Sequence, residues 1–399
     1  TGAGLSRAQI RSALRRGGTV HCMGIGGVGV AGLARLLAAR GLRVSGCDLA
    51  RNRLTESIEA AGISVAPGHD AAHVAPPPDW LIRTAAVPDT HPEVRAARAA
   101  GVPVSARGEA LAALVDTARG VAVCGTHGKT TTTTMAAQAF RAAGLDPSFC
   151  IGGEVDALGG VAGTGASGWL VVEADESDGT LALYEPEIAV VTNVDFDHME
   201  HFDGVDAFHA VFEAVVARTR GAVCFGRDDG VATRIAGRRA GTVGFGLDPA
   251  SDVRGEARRV DGTAQEFDVV AFGARLGRAR LPVPGRHNVL NALGAVAAAL
   301  AAGAKPAPVL ASLGGFRPAR RRLEPFHDGG GIRVFSDYAH HPTEIRALLD
   351  AVREGFAFDR LVAVFQPHRY TRTLALGAQF PAAFRSEERR VGKECRSRW

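Results

Sequence analysis

Short apolar runs recur along the chain, most of them passing into a glycine-rich or acidic turn and then into a stretch with helical spacing. Thr19-Val20-His21-Cys22-Met23 reads as a buried strand. It leads through Gly24-Ile25-Gly26-Gly27-Val28-Gly29 into an Ala/Leu-rich helix that ends near Arg40, and residues 43–47 form the next strand. Similar units continue to about Leu114, with Pro76-Pro77-Pro78 marking a loop before Trp80-Leu81-Ile82. Residues 121–124 then pass through Gly125-Thr126-His127-Gly128-Lys129-Thr130 into a helix predicted over 132–143, where Met135, Ala136, Ala139 and Phe140 share a face. Strands alternating with helices predict parallel sheets covered on both sides.

Other stretches break that rhythm. Residues 151–168 are rich in glycine and read as a mobile loop of the kind that borders a substrate site, with a solvated linker as the alternative. Residues 169–172 and 188–193 are buried strands. The pattern over 252–281 is short and charged, as in an antiparallel edge. After Pro284-Gly285-Arg286-His287-Asn288 comes an Ala-rich helix. Strands are predicted at 332–335 and 361–365, with a helix between them that residues 336–344 lead into. Residues 386–399 carry mixed charge without apolar periodicity and are expected not to belong to the last domain.

A chain of 399 residues calls for two or three domains, and 46% apolar with 22% charged residues is ordinary globular composition. A formal charge of +4 with dispersed arginines gives no case for nucleic acid. Six cysteines without a C-x-x-C pair look like buried hydrophobes in a reducing compartment. No membrane span or signal peptide is expected, and a cytoplasmic location follows as the default.

The chemistry is most legible at residues 125–130. Unpaired N–H groups at such a helix start, together with the helix dipole, favour a phosphate. Lys129 can reach the terminal phosphate, and Thr130 can offer a hydroxyl to Mg²⁺. The general phosphate-loop pattern wants glycine where Val123 stands, and a plain turn is the competing account. Against the plain turn, one of only three lysines in the chain occupies the phosphate-reaching position. Two later strands end in acids, at Glu173-Ala174-Asp175-Glu176-Ser177-Asp178 and at Asp195, Asp197 and His198. Clustered carboxylates at strand ends need a cation, and hard oxygen ligands suit Mg²⁺. Asn288 and Asn291 share a helix face and could reach one base or ribose, with ordinary capping as the alternative. The first motif, with Gly24, Gly26, Gly27 and Gly29 followed by Asp48, satisfies the dinucleotide fingerprint; a nucleotide sugar or an empty turn fits it as well.

Taken in order, these motifs resemble the Mur ligases of peptidoglycan synthesis. The likeness is carried by His21-Cys22-Met23-Gly24-Ile25-Gly26-Gly27, the 125–130 loop, the acidic run from Glu173, Asp337-Tyr338-Ala339-His340-His341-Pro342-Thr343-Glu344 and Phe365-Gln366-Pro367-His368-Arg369-Tyr370. It runs from about Val20 to about Phe384. It implies an α/β fold of three domains: a Rossmann-like UDP-substrate domain (1–112), a central P-loop ATPase domain (113–316) and a partial, Rossmann-like C-terminal domain (317–399). It implies an ATP-dependent ligase joining L-alanine to UDP-N-acetylmuramate through an acyl phosphate, with Mg²⁺ or alternatively Mn²⁺.

The resemblance also implies residue roles. Gly125, Thr126, His127, Gly128, Lys129, Thr130, Thr131, Asn288 and Arg322 bind the nucleotide. Thr130, Glu173 and His198 hold metal. Lys129, His198, Asn288, Asn291, Arg322 and Asp337 surround the reaction. Gly24, Gly26, Gly27, Gly29, Asp48, His340, Arg369 and Arg372 face the substrates. The chain departs from the family's usual residues at His91, Pro318, Leu323 and Ser336. A sister ligase attaching a preformed tripeptide is the rival within the family, and an NAD-dependent oxidoreductase is the rival outside it.

Overall fold

The computed structural model describes residues 7–197 and 201–384. The first unit runs α1 (Arg7–Arg16), β1 (Thr19–Met23), α2 (Val28–Ala39), β2 (Arg43–Asp48), α3 (Arg53–Ala60), β3 (Ser64–Pro67), β4 (Trp80–Arg83), α4 (Pro92–Ala99), β5 (Val104–Ala106) and α5 (Arg107–Asp116). Its five strands lie in the order β3-β2-β1-β4-β5, all pairs parallel. The order reverses at β1, so the first glycine turn sits at the switch point where such sheets open a crevice. His91 caps α4: its Nδ1 accepts from Glu93 N at 3.2 Å, the same task a side-chain oxygen performs at that position.

The second unit runs β6 (Arg119–Cys124), α6 (Lys129–Ala142), β7 (Ser148–Val155), β8 (Gly160–Gly163), β9 (Trp169–Glu173), β10 (Ile188–Val191), α7 (Val205–Arg218), β11 (Ala222–Gly226), α8 (Gly230–Ala236), β12 (Thr242–Gly246), β13 (Val253–Asp261), β14 (Ala264–Ala271), β15 (Ala274–Leu281), α9 (Arg286–Ala301) and α10 (Pro306–Leu313). Ten strands form one sheet in the order β15-β14-β13-β12-β11-β10-β6-β9-β7-β8. β13 to β15 are the antiparallel edge that the charged pattern predicted. The buried faces of α6 and α9 pack together over one side, around Phe140, Val289 and Leu293.

The glycine-rich stretch after Ile151 is not a loop. β7 and β8 pair antiparallel across it, and Cys150, Val161 and Ala162 join the core that contains Leu33 and Leu37 of α2. Its glycines read as mobility because their packing partner lies in the other domain. Gly32 on α2 lets Cys150 come close, and Gly152 leaves room for the Glu173 carboxylate.

The last unit holds a hairpin of β16 (Glu324–Gly329) and β17 (Ile332–Ser336), followed by α11 (Pro342–Gly355), α12 (Tyr370–Leu376) and α13 (Phe380–Phe384). The strand predicted at 361–365 is not formed, and Val362 and Val364 are 66% and 96% exposed. Among the described residues no strand lies beside it, so its backbone has no ladder to join and its apolar side chains no second layer to meet. Ile345, Leu349 and Ala383 make a small core between α11 and α13.

Candidate active site

β6 lies between β10 and β9 in the central sheet, so the phosphate-loop candidate emerges flanked by the two acidic strand ends. The loop's glycines are both required. Gly125 (φ +128°) lies against Thr192, Gly128 (φ +81°) lies against the Asn291 amide, and a Cβ at either position would collide as well as force a left-handed backbone on an ordinary residue. α6 starts at Lys129, three residues before the sequence-predicted start at Thr132. The Thr130–Thr134 run is β-branched, which lowers helix propensity. It is accommodated because Thr133 and Thr134 donate their hydroxyls back to the carbonyls of Lys129 and Thr130, both at 2.8 Å, and because most of the run is buried.

The four acids at and beyond the end of β9 have four different tasks. Glu173 accepts from Thr130 Oγ1 at 3.2 Å and from Gly152 N at 2.7 Å. Asp175 closes a turn on Ser177 and lies 3.8 Å from Arg107, whose stem also packs against Gly29 of the first glycine motif. Glu176 is fully buried and takes the Lys129 ammonium on both oxygens, at 2.9 and 2.8 Å. Asp178 accepts from Thr180 N at 3.0 Å. Burial works against the Lys129 charge, but Glu176, Asp175 and Glu173 outweigh it and hold its pKa above the usual lysine value. The cation needed by the acid cluster is thus partly supplied by Lys129 and Arg107.

At the other strand end, Asn193 Oδ1 accepts from His127 N at 2.8 Å, and Thr126 Oγ1 donates to the Asp195 carbonyl at 2.8 Å. The His127 ring is held between Asp195 and Glu344, each at 3.2 Å. Burial lowers its pKa, yet the two carboxylates prevail and hold it at about 9. The His341 ring lies 4.8 Å away, tilted by 45°, and its pKa is pushed down to about 4, first by burial and then by the His127 charge. Thr343 Oγ1 donates to Asp195 at 2.8 Å, so the start of α11 is tied to the phosphate loop.

A cleft of about 400 Å³ opens beside this network. His127, Gly128, Thr131, Asn288, Asn291, Arg322 and Asp337 line it together. Gly285, not an asparagine, caps α9. Asn291 Nδ2 donates to Asn288 Oδ1 at 3.4 Å, as their shared face predicted. Asp337 accepts from Leu323 N and Ala339 N, both at 2.7 Å, and burial pushes its carboxyl pKa up.

Other sequence-predicted residues lie outside the cleft lining. Gly24, Gly26 and Gly27 make the turn between β1 and α2, Gly29 lies in the first turn of α2, and Asp48 accepts from Gly26 N at 2.8 Å, steadying the turn itself. His340 bonds the Tyr338 carbonyl at 2.7 Å. Arg369 caps α12, and Arg372 is buried in a two-pronged pair with Asp197 at 3.0 and 2.7 Å, so its guanidinium is engaged within the protein. His198 lies outside the described residues. Glu176, Glu344 and Arg107 carry functional geometry that sequence reasoning did not assign. The first two sat inside quoted motifs, but only the tertiary structure shows which acid of a run meets which base.

Comparison with known proteins matches three family models in order: Mur ligase family, catalytic domain (residues 19–119), Mur ligase middle domain (123–299) and Mur ligase, glutamate ligase domain (321–390). The UDP-N-acetylmuramate--L-alanine ligase of Acidothermus cellulolyticus is 44% identical over 93% of this chain and 79% of the relative. That of Kineococcus radiotolerans is 46% identical over 92% and 79%. Among solved structures, the UDP-N-acetylmuramate-alanine ligase of Thermotoga maritima superposes with a TM-score of 0.80 at 32% identity, covering 92% of this chain and 83% of the other. A murein peptide ligase of Psychrobacter arcticus gives 0.73 at 28% identity, covering 88% and 79%.

Proposed function

The chain belongs to the Mur ligase family, and from that premise we propose that it uses ATP to join L-alanine to the carboxylate of UDP-N-acetylmuramate in peptidoglycan precursor synthesis. The observation that carries this reading is the position of the Lys129 loop: it emerges between two acidic strand ends, beside a cleft built from α9 and the start of the last unit. Relatives named for the L-alanine reaction are also more similar in sequence than the murein peptide ligase.

A carboxylate and an amine do not condense in water, because the carboxylate has no leaving group. Transfer of the ATP γ-phosphoryl group onto the carboxylate oxygen gives an acyl phosphate and ADP. The alanine amine then attacks the acyl carbon, phosphate leaves, and a proton is lost from nitrogen. Two anions must meet in the first step. Lys129 offsets that repulsion, and the N–H groups at the start of α6 bind the phosphates. Asn288, Asn291, Arg322 and Asp337 line the space for the nucleotide and reacting acyl group. Thr130 and Glu173 bring a hydroxyl and a carboxylate together, a hard donor set suited to Mg²⁺, with Mn²⁺ as a substitute. Such a cation supplies charge neutralisation on the triphosphate. The first glycine turn takes the UDP portion in this reading, and the work is cytoplasmic; among the described residues no helix is long and apolar enough to cross a membrane.

Comparing L-alanine, glycine, L-serine and the murein tripeptide as acceptors tests the assignment. L-alanine is expected to give the fastest amide formation. Preference for the tripeptide assigns the chain to the sister reaction instead.

A further inference from the structure

Behind the first glycine turn lies a group of side chains that the ligase reaction does not use. His21 of β1, Cys47 of β2, His73 from the turn after β3 and Glu93 of α4 bring one ligand atom each within 4.8 Å of one another. Glu93 is fully buried at the centre. Its carboxylate lies 2.9 Å from His21 Nε2, 3.3 Å from Cys47 Sγ and 3.7 Å from His73 Nδ1. Four donors around one small ion stand about 3.3–3.7 Å apart when each is about 2.0–2.3 Å from it, so this set closes on a metal by side-chain adjustment that also releases His73 Nδ1 from Asp70 N, now at 3.3 Å.

Two further observations point the same way. Buried His21 Nε2 is aimed at the Glu93 carboxylate, 2.9 Å away, and its other ring nitrogen is fixed by Ser45 Oγ at 3.0 Å. A metal-binding histidine has that arrangement: one nitrogen held from behind, the other presented to the ion. His73 keeps 18% of its side chain exposed, and His69, whose Nδ1 is 3.0 Å from Cys47 Sγ, keeps 9%, which leaves an approach from solvent.

We propose that His21, Cys47, His73 and Glu93 form a binding site for a borderline-soft divalent transition metal, best satisfied by Zn²⁺, that ties β1, β2 and α4 together beneath the first glycine turn. A thiolate with two imidazoles and a carboxylate selects zinc over magnesium, and four protein ligands make the site structural. Binding expels the thiol proton of Cys47 to solvent as the sulfur–metal bond forms. The site is coupled to the turn directly, because the Cys47 carbonyl accepts from Gly24 N and Ile25 N at 2.8 and 3.1 Å.

The test uses the full chain, stripped with a chelator and titrated with Co²⁺ alone and then with Zn²⁺ alone. One Co²⁺ per chain is expected, with tetrahedral absorption and a sulfur-to-cobalt charge-transfer band that Zn²⁺ abolishes and excess Mg²⁺ leaves in place. Cys47→Ser loses the band, while Cys224→Ser, at a buried cysteine on β11, retains it. His73→Ala changes a partly exposed ligand and is expected to fold, confirmed by its far-UV circular dichroism; it weakens Co²⁺ binding by at least about tenfold. Absence of the band in the unsubstituted chain, its persistence in Cys47→Ser, or unchanged affinity in His73→Ala overturns the proposal. None of these readouts depends on ligase activity.

Discussion

Lys129 Nζ contacts both carboxylate oxygens of Glu176, at 2.9 and 2.8 Å, and also reaches back to the Gly125 carbonyl at 2.7 Å. The lysine proposed to serve the phosphates is therefore parked on a fully buried acid, and a bound nucleotide would have to draw it away or share it. Glu176→Gln leaves a buried ammonium without its main counter-charge, which costs on the order of 3–5 kcal/mol in the nucleotide-free protein. Triphosphate oxygens replace that charge. ATP should raise the melting temperature of the variant more than that of the parent chain, and an equal shift in both contradicts the exchange.

His127 gives a pH dependence of definite sign. Its pKa is raised from 6.5 to about 9, so the stability it contributes is fully present below pH 6.5 and lost as pH rises through about 9. Denaturant unfolding across that window should show a steeper loss in the parent chain than in His127→Gln. Parallel curves mean that the imidazolium is not held by Asp195 and Glu344.

Glu173 meets Thr130 at 3.2 Å and is the described acid placed to share a cation with it. Glu173→Gln keeps the size of the side chain and removes its charge. The Mg²⁺ concentration for half-maximal turnover should rise by at least about tenfold, while UDP-N-acetylmuramate binding without ATP is unchanged. An unaltered Mg²⁺ requirement removes Glu173 from the metal site.

Arg372 and Asp197 bury a two-pronged ion pair that joins α12 to the loop after β10. Arg372→Ala strands a buried carboxylate and should cost about 3–5 kcal/mol, visible as faster proteolysis within 342–384. If Arg372 instead serves a substrate alone, stability holds and only KM rises.

What the sequence made legible divides along physical lines. Period and turn chemistry are local, so the strands before both glycine turns, the acidic strand ends and the antiparallel edge after Asp252 were readable. Tertiary partners are not local. The glycine-rich stretch after Ile151 looked like a loop because α2, which it packs against, is more than a hundred positions away. Residues 361–365 have strand composition, but a strand also needs a neighbour to pair with. Within the acidic run, side-chain type could not tell that Glu176 would turn inward to Lys129 while Glu173 faces Thr130.

In the proposed reaction Lys129 serves phosphoryl transfer in a ligase whose sugar-nucleotide site lies elsewhere. Its most direct test is phosphate release from ATP–Mg²⁺ with UDP-N-acetylmuramate and L-alanine present, comparing the parent chain with Lys129→Ala and measuring UDP-N-acetylmuramate binding alongside. Release that requires the sugar nucleotide is expected in the parent chain, and no release but intact sugar-nucleotide binding in the variant. Unchanged turnover in Lys129→Ala contradicts it.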